Sequence, residues 1–308
     1  MQRRFRPARL ASIARRILIG VAASSCVVDL AVGSEDEANT AAGSQPTVYL
    51  DVRTNYTSVP ANVLSIGLGG SSLSWILANP ELLSRIYGST PRPAISSPSS
   101  RGLAVDVPLT VDVNDRVSLY GGFTASASQS GASDWSALTI SSWNVGFQAD
   151  VHQQNGGTIP TITVQSTLTR SVPDSPLATT SLNTIVEFDY ALNEDETRGF
   201  LVGAQQTLVG IDSPLAKVGS NFVGYLGGYY QLDSGWKFSG RAGIQSFGGA
   251  QILNLISFAS FTQPILRLDM DRMDDNDNRL FGVTAQLAWT PKPAYQLTIR
   301  TPLYATRN

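Results

Sequence analysis

The 308-residue chain carries only 15% charged residues, where soluble proteins carry roughly a quarter, and its net charge of −2 offers no basic field to recruit nucleic acid. One histidine and one cysteine exclude a zinc centre built on those ligands and an internal disulfide framework. The length accommodates one large domain or two ordinary ones.

Residues 1–33 read as a secretory signal peptide. Arg3, Arg4, Arg6, Arg9, Arg15 and Arg16 precede the apolar stretch "ILIGVAASSCVV", and Ala31-Val32-Gly33 supplies small residues for cleavage. Two other readings compete. Acylation at Cys26 meets Ala23 where a leucine is usual, and an uncleaved anchor falls short of the ~20 apolar residues a span needs and contains Asp29. The next stretch, 34–46, is small, polar and acidic, too poor in apolar surface to order itself, and reads as a flexible periplasmic leader.

From residue 47 to the end the dominant period is two, the signature of strands. Helical spacing occurs once, in "NPELLSRIYG", where Asn79 can cap, Pro80 suits the first helical position and Gly88 can terminate; a short helix over 80–87 is predicted inside the first long connection. After a first strand over 47–57, Leu103, Val105, Val107, Leu109 and Val111 line one face and Asp106, Thr110 and Asp112 the other. The same alternation follows in Val117 to Ser126, Trp143 to His152, Thr161 to Leu168, Val186 to Leu192 and Phe200 to Leu208. It continues in Phe222 to Tyr230, Trp236 to Gln245, Phe281 to Trp289 and Tyr295 to Leu303. Only 254–268 alternates poorly, and with Pro264 inside it a bulge or a loop-covered strand is expected there.

Breaks rich in Asn, Asp and Gly alternate with longer Pro/Ser-rich connections near 127–135, 170–182 and 209–220. Two of these longer loops repeat the pentapeptide "DSPLA", at 174–178 and 212–216, which reads as paired mouth elements or as a reused turn. Short turns on one side and long loops on the other fit a transmembrane β-barrel entered from the periplasm, with about twelve strands, an even number. The fold class is therefore all-β: a closed antiparallel up-and-down transmembrane β-barrel over 47–308.

A soluble sandwich also alternates, but its solvent face is rich in Lys and Glu. Here the polar faces are mainly Ser, Thr, Gln, Asn and Gly, and Tyr190, Trp236, Trp289 and Tyr295 sit on the apolar face near strand ends, as membrane-interface aromatics do. Glycines at 224, 227, 228, 240 and 243 permit curvature in a closed sheet. The implied surroundings are a lipid bilayer. The inward polar set would comprise Asp51, Arg53, Asp106, Asp112, Gln148, Asp150, Glu187, Asp189, Lys237, Arg241, Gln245, Gln296 and Arg300. These side chains would line a pore with a transverse field, or pair with one another and fill the lumen.

Catalytic chemistry is thinly represented. Asp150 and His152 fall on one face by alternation, but no serine arrangement accompanies them. The run "DMDRMDDNDNR" at 269–279 has oxygen ligands but lacks the spacing of a calcium loop, and reads as a solvated acidic turn. No phosphate-cradling glycine motif is present, and no metal or other cofactor is expected.

With its signal-like start, its hairpin spacing and the closing hairpin "LFGVTAQLAWTPKPAYQLTIRTPLY", the chain resembles Gram-negative outer-membrane β-barrel proteins over 47–308. More loosely it resembles the phenol-degradation or "transporter" group of exported barrels. The resemblance implies a passive, porin-like channel in the bacterial outer membrane, without catalysis, admitting small-molecule solutes that are often hydrophobic or aromatic. The alternative is a structural or surface-interaction barrel with a filled lumen. The resemblance also implies insertion by the outer-membrane assembly machinery, although such barrels commonly end on an aromatic residue and this chain ends "LYATRN".

Overall fold

The computed structural model describes residues 47–60, 99–172, 178–213, 216–252, 256–258, 260–274, 279–289 and 293–306. Its strands in chain order are β1 (Thr47–Val59), β2 (Ser100–Asn114), β3 (Val117–Ser130), β4 (Thr139–His152), β5 (Thr161–Ser171), β6 (Thr179–Ala191), β7 (Arg198–Ile211), β8 (Ala216–Val218), β9 (Asn221–Gln231), β10 (Trp236–Phe247), β11 (Ala250–Ile252), β12 (Ile256–Phe258), β13 (Phe261–Met273), β14 (Arg279–Trp289) and β15 (Pro293–Thr306). Twelve of them close a barrel in the order β1-β15-β14-β13-β10-β9-β7-β6-β5-β4-β3-β2, every pair antiparallel. The closure joins first strand to last, from Val48 opposite Thr306 to Ser58 opposite Tyr295. No sheet edge remains open around the wall, which is what hydrocarbon demands of a spanning sheet. The 80–87 helix expectation lies outside the described residues.

Tight turns gather at the end where β1 begins and β15 ends. Between β9 and β10 the Asp233-Ser234-Gly235 turn is closed by Gly235 N–H donating to the Leu232 carbonyl at 2.9 Å, with Gly235 at φ 76°, a left-handed conformation that favours glycine. At the opposite end the connections range from three residues between β14 and β15 to forty between β1 and β2, and segments of two of them, β8 in one and β11 with β12 in the other, form a small sheet ordered β12-β11-β8.

The distribution of polarity is inverted relative to a soluble protein. Of the six largest side chains with under 2% exposure, Gln205, Gln245, Gln263, Asn221 and Thr207 are polar and Val223 alone is apolar. Leu226, Ile244 and Leu303 are 65%, 61% and 59% exposed, and with Phe123, Trp143, Val202 and Leu297 they stand on the outer rows of their strands. A wall of this kind belongs against hydrocarbon.

The poorly alternating stretch resolves into two parts. Residues 250–252 and 256–258 contribute to the small sheet, and β13 is a regular barrel strand paired with β10 without a register break from Phe261 to Arg272, so no bulge interrupts that ladder. The alternation is blurred because the inner wall is apolar at this height: Ile265 points inward and packs with Leu201, Val223, Tyr225 and Ala288. Pro264 is tolerated because it pairs with Ile244 of β10 while the β14 ladder begins only at Ile265. Pro108 follows the same rule, facing Gly122 of β3 where the β1–β2 ladder skips from Leu109 to Asp106.

Several inner-row glycines have a packing reason. Tyr225 lies opposite Gly203, Tyr229 opposite Gly199 and Tyr120 opposite Gly146, and a Cβ at any of these glycines would strike the tyrosine ring. Each ring reaches over the glycine of the neighbouring strand and occupies the space its side chain would take.

Placing a charge on the outer face tests the inversion. Leu226→Arg, at mid-strand, should cost about 2–4 kcal/mol in lipid vesicles, the depth-dependent penalty for a cation at the bilayer midplane. Equilibrium denaturant unfolding in vesicles measures it, and a change within ~0.5 kcal/mol, ordinary for an exposed leucine in water, would contradict a lipid-facing wall.

Candidate functional site

The register places all thirteen inward candidates on the inner rows: Asp51 and Arg53 on β1, Asp106 and Asp112 on β2, Gln148 and Asp150 on β4, Glu187 and Asp189 on β6. Lys237, Arg241 and Gln245 follow on β10, and Gln296 and Arg300 on β15. Some meet small partners within the wall. Asp112 accepts from the Ser118 hydroxyl at 2.6 Å, Asp150 from Thr163 at 2.8 Å, and Lys237 Nζ lies 5.2 Å from the Tyr229 ring centre.

Others assemble into a network. Arg241 reaches past β9 and β7 to Glu187 on β6, with Nη2 and Nε each 3.1 Å from a carboxylate oxygen, and Tyr225 donates to the same carboxylate at 2.8 Å. Strands β6 and β10 are not neighbours, so this contact crosses part of the interior. On its other side Arg241 meets Asp269 at 3.1 Å. Asp269 is the hub, for Arg267 at 2.8 Å, Arg300 at 3.2 Å and the Thr284 hydroxyl at 2.5 Å also converge on it. Asp271 takes Arg279 at 3.0 Å and Arg300 at 3.2 Å.

This overturns the solvated-turn reading of Asp269 and Asp271. Strand β13 runs on to Met273, so both aspartates continue its inner row and are 5% and 8% exposed. With them Arg267 and Arg279 join the interior, although sequence reasoning missed all four. Their alternation with Leu266, Leu268 and Met270 was the available signal, masked by the aspartates that follow. Asp275 and Asp277 lie outside the described residues.

Nearer the loop end the inner rows are uncharged among the described residues. Gln205 and Thr207 donate to the Asn183 carbonyl oxygen at 2.8 and 2.9 Å, Gln245 to that of Asn221 at 3.0 Å, and Gln263 to Gln245 at 2.6 Å. Down β13 the inner row therefore reads amide, apolar, charged: Gln263, Ile265, then Arg267, Asp269 and Asp271.

Around the circumference the charges separate. Strands β2 to β6 carry Asp106, Asp112, Asp150, Glu187 and Asp189 on inner rows, whereas β10 to β15 carry Lys237, Arg241, Arg267, Arg279 and Arg300 with Asp269 and Asp271 among them. The two arcs are separated by β1 on one side and by β7 and β9 on the other.

Asp150 and His152 do not share a face as simple alternation implied. A register shift lies between them, setting Asp150 opposite inward Thr163 and His152 opposite outward Ile162. His152 Nδ1 is 3.0 Å from the Pro160 carbonyl, at the turn.

The aromatic candidates divide between the rims. Tyr190 and Trp236 stand at the tight-turn end, with Tyr190 stacked on Phe200 at 5.1 Å and Trp236 edge-on to Phe281 at 5.6 Å. Tyr295, 52% exposed, stands at the loop end, where Trp289 closes β14 opposite Pro293 with its side chain outside the description.

No family model matches the chain, and no curated protein does. Among solved structures, an outer-membrane channel from Pseudomonas putida F1 aligns with a TM-score of 0.50 at 11% identity, covering 87% of this chain and 100% of that one. The translocator domain of the autotransporter NalP from Neisseria meningitidis aligns at 0.44 with 12% identity, covering 96% and 98% respectively. The CymD monoaromatic hydrocarbon channel aligns at 0.37 with 9% identity, covering 86% and 89%. Likeness at such identities is one of fold, and the fold is that of bacterial outer-membrane β-barrels.

The hub carries a stability prediction. Asp269→Asn would leave Arg241, Arg267 and Arg300 without their shared counter-charge, and loss of one partner from a buried ionic cluster typically costs about 3–5 kcal/mol. The thermal unfolding midpoint of the purified barrel in detergent should fall clearly, whereas Lys237→Gln, which removes a cation stacked on a ring, should leave it nearly unchanged.

Proposed function

We propose that the protein is a passive, non-catalytic channel of the bacterial outer membrane, exported with removal of residues 1–33 and passing small solutes along the barrel axis. The observation that carries this reading is the separation of inward charge into an acidic arc on β2–β6 and a net basic arc on β10–β15. A packed interior needs only pairing. Opposed arcs leave carboxylates such as Asp112 and Asp150 bonded to hydroxyls rather than cations, and set a field across the bore.

Such a field orients a dipolar solute and favours small polar or zwitterionic molecules over neutral ones. Hydrophobic or aromatic solutes, implied by the family resemblance, would meet Tyr120, Tyr225 and Tyr229, each already seated on a glycine. The superposed Pseudomonas putida protein is itself named a channel, which accords with this reading. The aromatic rims around Tyr190, Trp236 and Tyr295 fit the headgroup levels of the bilayer, and insertion would use the outer-membrane assembly machinery.

A filled, structural barrel is the second reading. It is favoured by the amide layer, where Gln205, Gln245, Gln263 and Asn221 are at most 1% exposed near the loop end. Planar-bilayer recording separates the two. The channel gives unitary current steps in symmetric salt, and a chain carrying Asp112→Asn with Asp150→Asn shifts its reversal potential in a salt gradient towards anion preference. Silence across a range of salts, from protein that is demonstrably inserted, establishes the filled barrel.

A further inference from the structure

At mid-height on the seam where the first and last strands close, Arg53 of β1 and Arg300 of β15 are direct cross-strand neighbours on the inner row. Side chains so placed have Cβ atoms about 5 Å apart, and like charges in that position repel. Nearby carboxylates relieve that repulsion only in part, because most of them are shared with other donors. Asp106, opposite Arg53 on β2, receives the Thr124 hydroxyl at 2.5 Å on one oxygen and the Asn55 amide at 2.6 Å on the other. Asp51 is 3.7 Å from Arg53, beyond hydrogen-bond distance. On the Arg300 side, Asp269 is shared with Arg241, Arg267 and Thr284, and Asp271, 3.2 Å from Arg300, is shared with Arg279.

The consequence is a surplus of donors. A guanidinium has five N–H groups and accepts nothing. The Nε groups of Arg53 and Arg300 are both shielded from solvent and both lack a hydrogen-bond acceptor. Beside them Gly282 pairs with Arg300, and the space a side chain would take there is filled by Asp271, Arg300 and Arg279. Arg53 remains 42% exposed at its side chain and Arg300 15%, which makes the pair accessible from the bore.

We propose that Arg53 and Arg300 form a carboxylate-binding subsite in the barrel interior, one anionic headgroup accepting from both guanidinium groups. Planar forks match a carboxylate in geometry as well as in charge, and the bound anion removes the repulsion between the two cations. The assignment deepens the channel reading by naming the solute's headgroup, and rests on it for biological meaning, but binding itself does not require conduction.

Saturation-transfer NMR on the full-length barrel in detergent micelles tests it, with succinate as the carboxylate probe and succinamide as the uncharged control. The wild type should show saturable transfer to succinate and none to succinamide. Arg53→Gln, which leaves every contact of Asp269 and Asp271 in place, should weaken succinate binding roughly tenfold, the loss of about one charge-assisted hydrogen-bonding partner. Arg53→Lys, which keeps charge without the fork, should fall between. Absence of succinate binding to the wild type, or equal binding by wild type and Arg53→Gln, overturns the subsite. Binding lost in Arg53→Gln by a barrel that carries no current upholds the subsite and refutes the channel, so the two readings fail separately.

Discussion

A sheet that faces hydrocarbon has no water with which to satisfy its backbone, and every other feature of this molecule follows from that exclusion. Closure of β1 on β15 removes the two edges that an open sheet would present. The outer rows then become apolar because charge there is costly, and polar side chains are driven into an interior of limited volume. There they face the rule that governs any interior: a buried donor or acceptor must find a partner. The chain answers that rule differently by height, with amides bonding amides near the loops and guanidinium groups meeting carboxylates near the middle, while Asn221 Nδ2, Gln263 Oε1 and the Nε groups of Arg53 and Arg300 stay without a partner.

The glycines belong to the same account. A strand that carries Gly199 and Gly203 on its inner row exposes backbone and has little side chain to hold register, a weakness that isolated strands cannot tolerate. Tyr229 and Tyr225 from β9 fill both vacancies, and Tyr225 then extends its hydroxyl to Glu187, tying the ring that covers β7 to the ionic network on β6 and β10. Replacement of such a glycine by a larger residue would therefore disturb an electrostatic cluster several residues away, because the ring and the carboxylate move together.

Much of this was legible in the sequence, for identifiable reasons. Period-two alternation survives wherever one face meets hydrocarbon and the other meets polar atoms, so the inner rows of β1, β2, β4, β6, β10 and β15 could be read directly. It fails where the inner wall is itself apolar: Ile265 pointing inward next to outward Leu266 erases the period, and the start of β13 was obscured for that reason. Alternation also assumes an unbroken ladder. One bulge between Asp150 and His152 moves the histidine off the inner row, and nothing in the local residues announces it. The acidic run misled in the opposite direction, since Asp269 and Asp271 resemble the turn residues that follow them until their arginine partners on β10, β14 and β15 are brought alongside. Pairing across strands is information that a linear pattern does not contain.

The partition of charge between arcs is harder to derive from stability than from transport. For stability alone, each inward acid would be best placed beside a base on an adjacent strand, because short ion pairs recover most of the desolvation cost that burial imposes. The β10–β15 arc follows that design around Asp269 and Asp271. The β2–β6 arc departs from it: among the described residues its strands supply no inward cation, and Asp112 and Asp150 rely on hydroxyl donors. A barrel that keeps unpaired carboxylates on one wall and surplus guanidinium donors at Arg53 and Arg300 stores electrostatic potential across its bore. That potential is unfavourable to an empty interior and favourable to a solute that bridges it, which is the physical distinction between an interior built to be filled by its own side chains and one built to be visited.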